Sequence, residues 1–174
     1  VQRRADVSNW VTAGNAMSTL AGKGISVVAP AGGAWSMYTN WEQDGSKQWE
    51  TFLADELPNW LAANKGLAPG GHGIVGASMG GTGALTMATF HPDRYRFAGS
   101  LSGFLTPSNT YMNGAITAGL AQFGGVDTRN MWGLPQLGRW KCTIRTSTHS
   151  CWWTTTPGCG CSARRRRPAP TCRR

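Results

Sequence analysis

The sequence predicts an α/β domain, a parallel sheet flanked by helices, followed by a basic stretch with no fold of its own. Three observations carry that reading. Helix-type and strand-type patterns alternate along residues 8–123, the arrangement that gives layered α/β architectures. Gly76, Ala77, Ser78, Met79 and Gly80 read G-x-S-x-G between an apolar run and a helix-forming run. Charge and cysteine are unevenly placed: residues 1–138 hold eight Lys or Arg and eight Asp or Glu, whereas residues 139–174 hold nine basic residues, no acidic one and all five cysteines. The net charge of +9 therefore belongs to the end of the chain, which removes specific nucleic-acid binding as a reading of the body.

In chain order, residues 1–6 lack the apolar core of a secretory signal, so no signal peptide is expected, and no stretch reaches transmembrane length. Ser8 or Asn9 can cap a helix running from Trp10 through Met17 and Leu20, which ends near Gly22 and Gly24. Ile25, Ser26, Val27, Val28 and Ala29 follow as a buried strand closed by Pro30, Gly32 and Gly33. The loop 31–45 carries Trp35, Met37, Tyr38 and Trp41, an aromatic content that suits either a site lining or a cover over a core edge. Residues 47–64 place Trp49, Phe52, Leu53, Leu57, Trp60 and Leu61 at helical spacing, with a bend at Pro58 and Gly66 as the C-cap. Residues 72–76 read as a short strand and 82–90 as a helix that stops at His91 and Pro92. Residues 95–101 make the next strand, leaving through Ser102 and Gly103; 113–123 is a weaker helix before the loop through Asp127 and Trp132. Three strands separated by helices imply a parallel sheet, with functional loops at the strands' C-terminal ends. Ser78 sits at such an end.

Strand, sharp turn and helix form the context that a nucleophile elbow requires. A serine at the tip of so tight a turn needs small neighbours, because strand and helix pass close by; Gly76, Ala77, Gly80 and Gly81 meet that demand. The turn lifts the hydroxyl clear of the sheet and sets it by a helix N-terminus, where the backbone N–H of Met79 can receive a developing oxyanion. Glycine and serine also fill ordinary strand-to-helix turns, so the flanking pattern is what distinguishes this pentapeptide.

The final stretch admits four readings. A zinc site wants paired C-x-x-C or Cys/His spacing, which Cys159, Gly160 and Cys161 do not supply, so no metal is expected. A disulfide scaffold is opposed by the odd cysteine count and the lack of a partner cysteine in the body. Arg164 to Arg167 would attract any phosphate without selectivity. The fourth reading is a shifted reading frame. Back-translating 151–161 with GC-rich codons and moving one base gives Leu-Val-Asp-Asn-Asn-Thr-Arg-Val-Trp-Val, and treating 142–145 likewise gives Trp-His-Asp-Pro. An ordinary turn and strand lie hidden there. The expected division is therefore a partial domain over 1–141 and a frameshifted, disordered Cys- and Arg-rich tail over 142–174.

Residues 6–141 also carry a resemblance. Asp6 to Trp10, Ala29 to Gly33, Tyr38 to Gly45, Trp49 to Leu53, Phe90 to Pro92 and Met131 to Gly133 together resemble the mycobacterial antigen 85 family of mycolyltransferases, most closely its MPT51 branch. The resemblance implies a truncated α/β-hydrolase fold, secretion to the cell envelope and transfer of a mycolic acyl chain between trehalose esters. In that chemistry serine attacks the ester, an acyl-serine forms, and a sugar hydroxyl takes the acyl group without any cofactor. Ser78 matches the nucleophile and Met79 the oxyanion N–H. The MPT51 branch includes members without the nucleophile and implies an alternative, a non-catalytic cell-wall or fibronectin-binding protein. The family's other oxyanion donor precedes residue 1, and its acid and histidine follow the apparent break in frame. His72, His91 and His149 do not match the triad position, so the triad acid and histidine are expected to be missing and activity to be low.

Overall fold

The computed structural model of the chain describes residues 8–107 and 109–134; the expectations for 142–174 and for His149 lie outside them. Its centre is a two-stranded parallel sheet and one crossover helix. Strand β1 (His72–Ala77) and strand β2 (Tyr95–Leu101) pair from His72↔Tyr95 to Ala77↔Leu101, with one irregularity after His72. A 12-residue helix, Met79–Phe90, connects them and packs on both. Among the described residues it is the fifth α-helix, α5. There, four shorter helices precede it, α1 (Ser8–Thr12), α2 (Ala16–Leu20), α3 (Trp49–Thr51) and α4 (Leu57–Lys65), and two follow, α6 (Thr110–Gly124) and α7 (Thr128–Trp132).

The expected helix from Trp10 to Leu20 is interrupted. Asn15 stands at φ 47°, and α2 begins only after it. Gly14 and Asn15 together favour a turn over a continued helix, because both tolerate conformations that a helix interior excludes. The expected helix over 47–64 is present with a defect of known cause. Between α3 and α4 lies a π-helical stretch, Phe52–Glu56, in which the N–H of Leu57 reaches back to Phe52. Pro58 would clash with the carbonyl four residues earlier, and widening the preceding turn accommodates it. Gly66 caps α4 at φ 65°, as its position predicted. The apolar stripe is narrower than expected: Leu53 is buried, but Trp60 is 53% exposed, with the Lys65 ammonium 5.8 Å from its ring.

The strand expected at 25–29 is not formed among the described residues. That segment has no regular structure, and Ile25 is 60% exposed. Its apolar, β-branched residues fit a pleated surface, yet a strand exists only through a neighbour's backbone, and here none pairs with it. Among the described residues two strands therefore stand where three were predicted. Helix α6 starts earlier than expected, capped by the Asn109 side chain, and ends at Gly125 with φ 63°. The loop expected after it contains α7, capped by Asp127.

Two apolar clusters hold these parts together. Met37, Trp41, Ile116, Leu120, Met131 and Trp132 join the 31–45 loop to α6 and α7. Leu53, Met87 and Tyr95 join the π-helical stretch, α5 and β2, with Tyr38 and Ile74 packed against them. The aromatic loop thus covers core. Its residues 35–41 serve both clusters, since Met37 and Trp41 enter the first and Tyr38 leans on the second.

At the β1–α5 junction two backbone conditions generate predictions. Gly76 is buried, and a Cβ there would overlap the Gly80 carbonyl oxygen and stand 2.8 Å from the Gly81 nitrogen. Gly76→Ala is expected to destabilise the chain by about 1–3 kcal/mol through overpacking, read as a lower urea midpoint. Ser78 stands at φ 53° and ψ −120°, a conformation that L residues other than glycine adopt only under constraint. Ser78→Gly should raise the urea midpoint, by a relief of roughly 1 kcal/mol; a lower midpoint would show that the conformation is unstrained.

Candidate functional site

The site is built where β1 turns into α5. The pleat of β1 carries the chain to Ala77, and the backbone reverses at Ser78. The N–H of Ser78 donates to the Leu101 carbonyl at 2.8 Å, extending the ladder with β2 by one residue. Its carbonyl accepts from the N–H groups of Gly81 at 2.9 Å and Thr82 at 3.2 Å, which starts the helix. Ser78 is therefore both the last rung of the sheet and the N-cap of α5. Its own side chain makes no capping hydrogen bond, and the residue is exposed. Ser78 stands at the N-terminus of a 12-residue helix, the positive end of its dipole.

Small residues make that geometry possible. A Cβ on Gly81 would stand 2.6 Å from Ser100 Oγ, and one on Gly103 would also overlap that hydroxyl. The buried Thr82 fastens the helix to the exit of β2, its Oγ1 accepting from the Phe104 N–H at 2.7 Å. On the opposite side lies a strap of residues 35–38. Trp35, Met37 and Tyr38 all have φ between 52° and 58°, and the buried Ser36 hydroxyl donates to the Gly32 carbonyl and accepts from the Tyr38 N–H at 3.1 Å. The Met37 N–H points at the Met79 sulfur, 3.4 Å away. The strap and the first turn of α5 are thus in direct contact.

The structure brings Gly76, Ser78, Met79 and Gly80 into one junction, with Ser78 at its tip and Met79 as the first residue of α5. It does not bring the described histidines there. His72 opens β1, so about 20 Å of strand separates it from the exit at Ser78. His91 follows the C-terminus of α5, about 18 Å of helix from Ser78, and its Nε2 lies 3.1 Å from Glu50 Oε1. Among the described residues there is no group of three or more His, Cys, Asp or Glu placed to hold a metal. Two concavities lie along the N-terminal segment, one bordered by Trp10, Val11, Met17 and Val27, and Ser78 borders neither.

Sequence reasoning missed the strap's backbone and its packing on α5. Left-handed conformations at tryptophan, methionine and tyrosine contradict residue preference, so no local rule selects them. One signal was available. Glycine at 80 and 83 in the first turns of a helix marks a surface that something bulky approaches closely, and Tyr38 is what approaches: a Cβ on Gly83 would stand 2.8 Å from its ring.

Comparison with known proteins places this geometry in a family. Residues 5–149 match the Esterase family. The chain is 79% identical over 136 residues to the MPT51/MPB51 antigen of Mycobacterium tuberculosis, covering 78% of this chain and 46% of that protein. It is 74% identical over 136 residues to the MPT51 antigen of Mycobacterium leprae, covering 78% of this chain and 45% of that one. Identity to the diacylglycerol acyltransferase/mycolyltransferase Ag85B of Mycolicibacterium smegmatis is 42% over 135 residues, or 74% of this chain and 42% of the enzyme. The crystal structure of Mycobacterium tuberculosis MPT51 (FbpC1) superposes with a TM-score of 0.77 at 76% identity, covering 81% of this chain and 53% of that one. The chain spans about half the length of these relatives. With its parallel sheet, flanking helices and G-x-S-x-G junction, it belongs to the Esterase family, alongside the MPT51 antigens and the antigen 85 mycolyltransferases.

Proposed function

We propose that Ser78 is the nucleophile of a serine acyl transfer, with acyl esters of the kind implied by the relatives' names as substrates and trehalose mycolates as the specific case. The observation that carries this reading is the backbone of Ser78 at φ 53° and ψ −120°, on the exposed tip between a parallel strand and a helix N-terminus. The turn imposes this conformation on whatever residue stands at 78, and a glycine would adopt it more easily; a serine there presents its hydroxyl at the tip. In the forward step Ser78 Oγ bonds to the ester carbonyl carbon, and the carbonyl electron pair moves to oxygen. The Met79 N–H, the first free donor of α5, faces that oxyanion. Collapse expels the alcohol and leaves an acyl-serine, which an acceptor hydroxyl then relieves. The Ser78 proton passes to a base. Neither described histidine reaches it, so acylation by these residues alone proceeds at the rate that solvent or buffer base allows.

The opposing reading is a non-catalytic envelope protein, with fibronectin among the ligands that the resemblance implies. High identity to proteins named as antigens, against 42% to a named acyltransferase, favours it. Secretion to the envelope belongs to both readings. Among the described residues no helix is long and apolar enough to cross a membrane.

A fluorophosphonate probe separates the two. The chain is expected to take up one equivalent slowly, with the adduct on the peptide containing Ser78 and none in Ser78→Ala. An intact fold with no adduct at Ser78, together with fibronectin or glycan binding that Ser78→Ala leaves unchanged, would establish the second reading.

A further inference from the structure

We propose that the Tyr38 hydroxyl is a second hydrogen-bond donor to the oxyanion formed at Ser78, beside the Met79 N–H. The inference rests on the reading of Ser78 as nucleophile and adds a side chain to it. Tyr38 lies along the first turns of α5 in a fixed direction. Its Cβ, Cγ and Cδ2 face Gly83, where a methyl group would come within 3.0 Å of them, while its Cε2, Cζ and hydroxyl oxygen would stand 3.7–4.0 Å from a Cβ placed on Gly80. The ring therefore runs toward the helix N-terminus and delivers its oxygen to the turn that starts at Ser78. Gly32 closes the other side, since a Cβ there would overlap the ring edge and stand 2.6 Å from the hydroxyl oxygen.

Packing explains the ring and leaves the hydroxyl unexplained. Phenylalanine would fill the same glycine cradle. The neighbouring Tyr95 supplies a comparison, because it belongs to the same apolar cluster and its hydroxyl donates to the Leu53 carbonyl at 2.6 Å. Among the described residues the Tyr38 hydroxyl has no such partner. Burial pushes the phenol above its ordinary value, so it stays protonated, and hence a donor, at neutral and mildly alkaline pH.

In the reaction, attack by Ser78 Oγ turns the carbonyl oxygen into an anion that accepts from Met79 N–H and Tyr38 O–H together. Neither donor loses its proton. A phosphonate reproduces this demand, because the P–O oxygen gains charge as Ser78 adds and fluoride leaves. Removal of one such donor reduces a rate by roughly 100-fold or more in a complete oxyanion hole; with solvent as base, about tenfold is expected here. The test measures phosphonylation of the 174-residue chain over a range of probe concentrations, with the urea midpoint as a check on folding. Tyr38→Phe should lower the maximal rate constant about tenfold and leave the concentration for half-maximal rate within twofold. Full rate in a folded Tyr38→Phe chain overturns the role of Tyr38 and spares Ser78. No adduct at Ser78 in the wild-type chain overturns both readings. Should Tyr38→Phe not fold, 3-fluorotyrosine at position 38 keeps the ring and acidifies the phenol. The pH at which the rate falls off in alkali should then move down, and an unmoved profile overturns the proposal.

Discussion

The contact on which the rest depends is backbone against backbone, where Gly76 of β1 meets Gly80 and Gly81 of α5. A methyl group at Gly76 has no room there. Because the strand and helix touch at that point, the chain between them has only Ala77, Ser78 and Met79 in which to reverse direction, and the left-handed conformation of Ser78 follows. The same closeness lets one residue serve two ladders, its N–H in the sheet and its carbonyl in the helix. Nothing about the serine side chain is needed for this. The turn is a property of the small residues around it, and its tip is where a reactive group can be displayed without disturbing the core.

The second level of organisation is the strap 35–38, which holds α5 from outside. Trp35 packs on Gly124 of α6, Met37 enters the cluster with Trp132, and Tyr38 lies on α5. Each of three successive attachments goes to a different neighbour, and the left-handed backbone at Trp35, Met37 and Tyr38 is what aims them apart. Conformational energy lost at these residues is offset by burial: Met37 and Trp41 are almost wholly removed from water, at about 25 cal/mol per Å² of apolar surface. The strap thereby connects the two apolar clusters that otherwise lie on separate helices.

What was legible in the sequence was local. The strand before Ser78, the helix after it, the second strand and the cap at Gly66 follow from short-range residue chemistry, and they stand where expected. The strand at 25–29 failed because its requirement is non-local: apolar alternation supplies a surface, and only a partner's backbone supplies the structure. The backbone of the strap was not legible for the opposite reason, since tertiary packing overrode the preferences of Trp35, Met37 and Tyr38. The π-helical stretch lies between. Pro58 signalled a defect, but whether a helix bends, breaks or widens there depends on what Leu53 and Ala54 must bury. At the candidate site, Gly76, Ser78, Met79 and Gly80 were visible in one line of sequence, whereas Tyr38, forty residues earlier, became visible only in space.

The glycines that admit this packing also leave the helix dependent on its neighbours. Helix α5 carries Gly80, Gly81 and Gly83 in its first five residues, each costing about 1 kcal/mol relative to alanine. A 12-residue helix is marginal in isolation even with good formers, so this one has little population before its neighbours are in place. Its contacts lie in β1, β2 and the strap, across more than sixty residues of chain. The segment that displays Ser78 therefore depends on sheet pairing and strap packing for its stability and is not stable by itself, so the strained geometry of the serine is a property of the assembled domain.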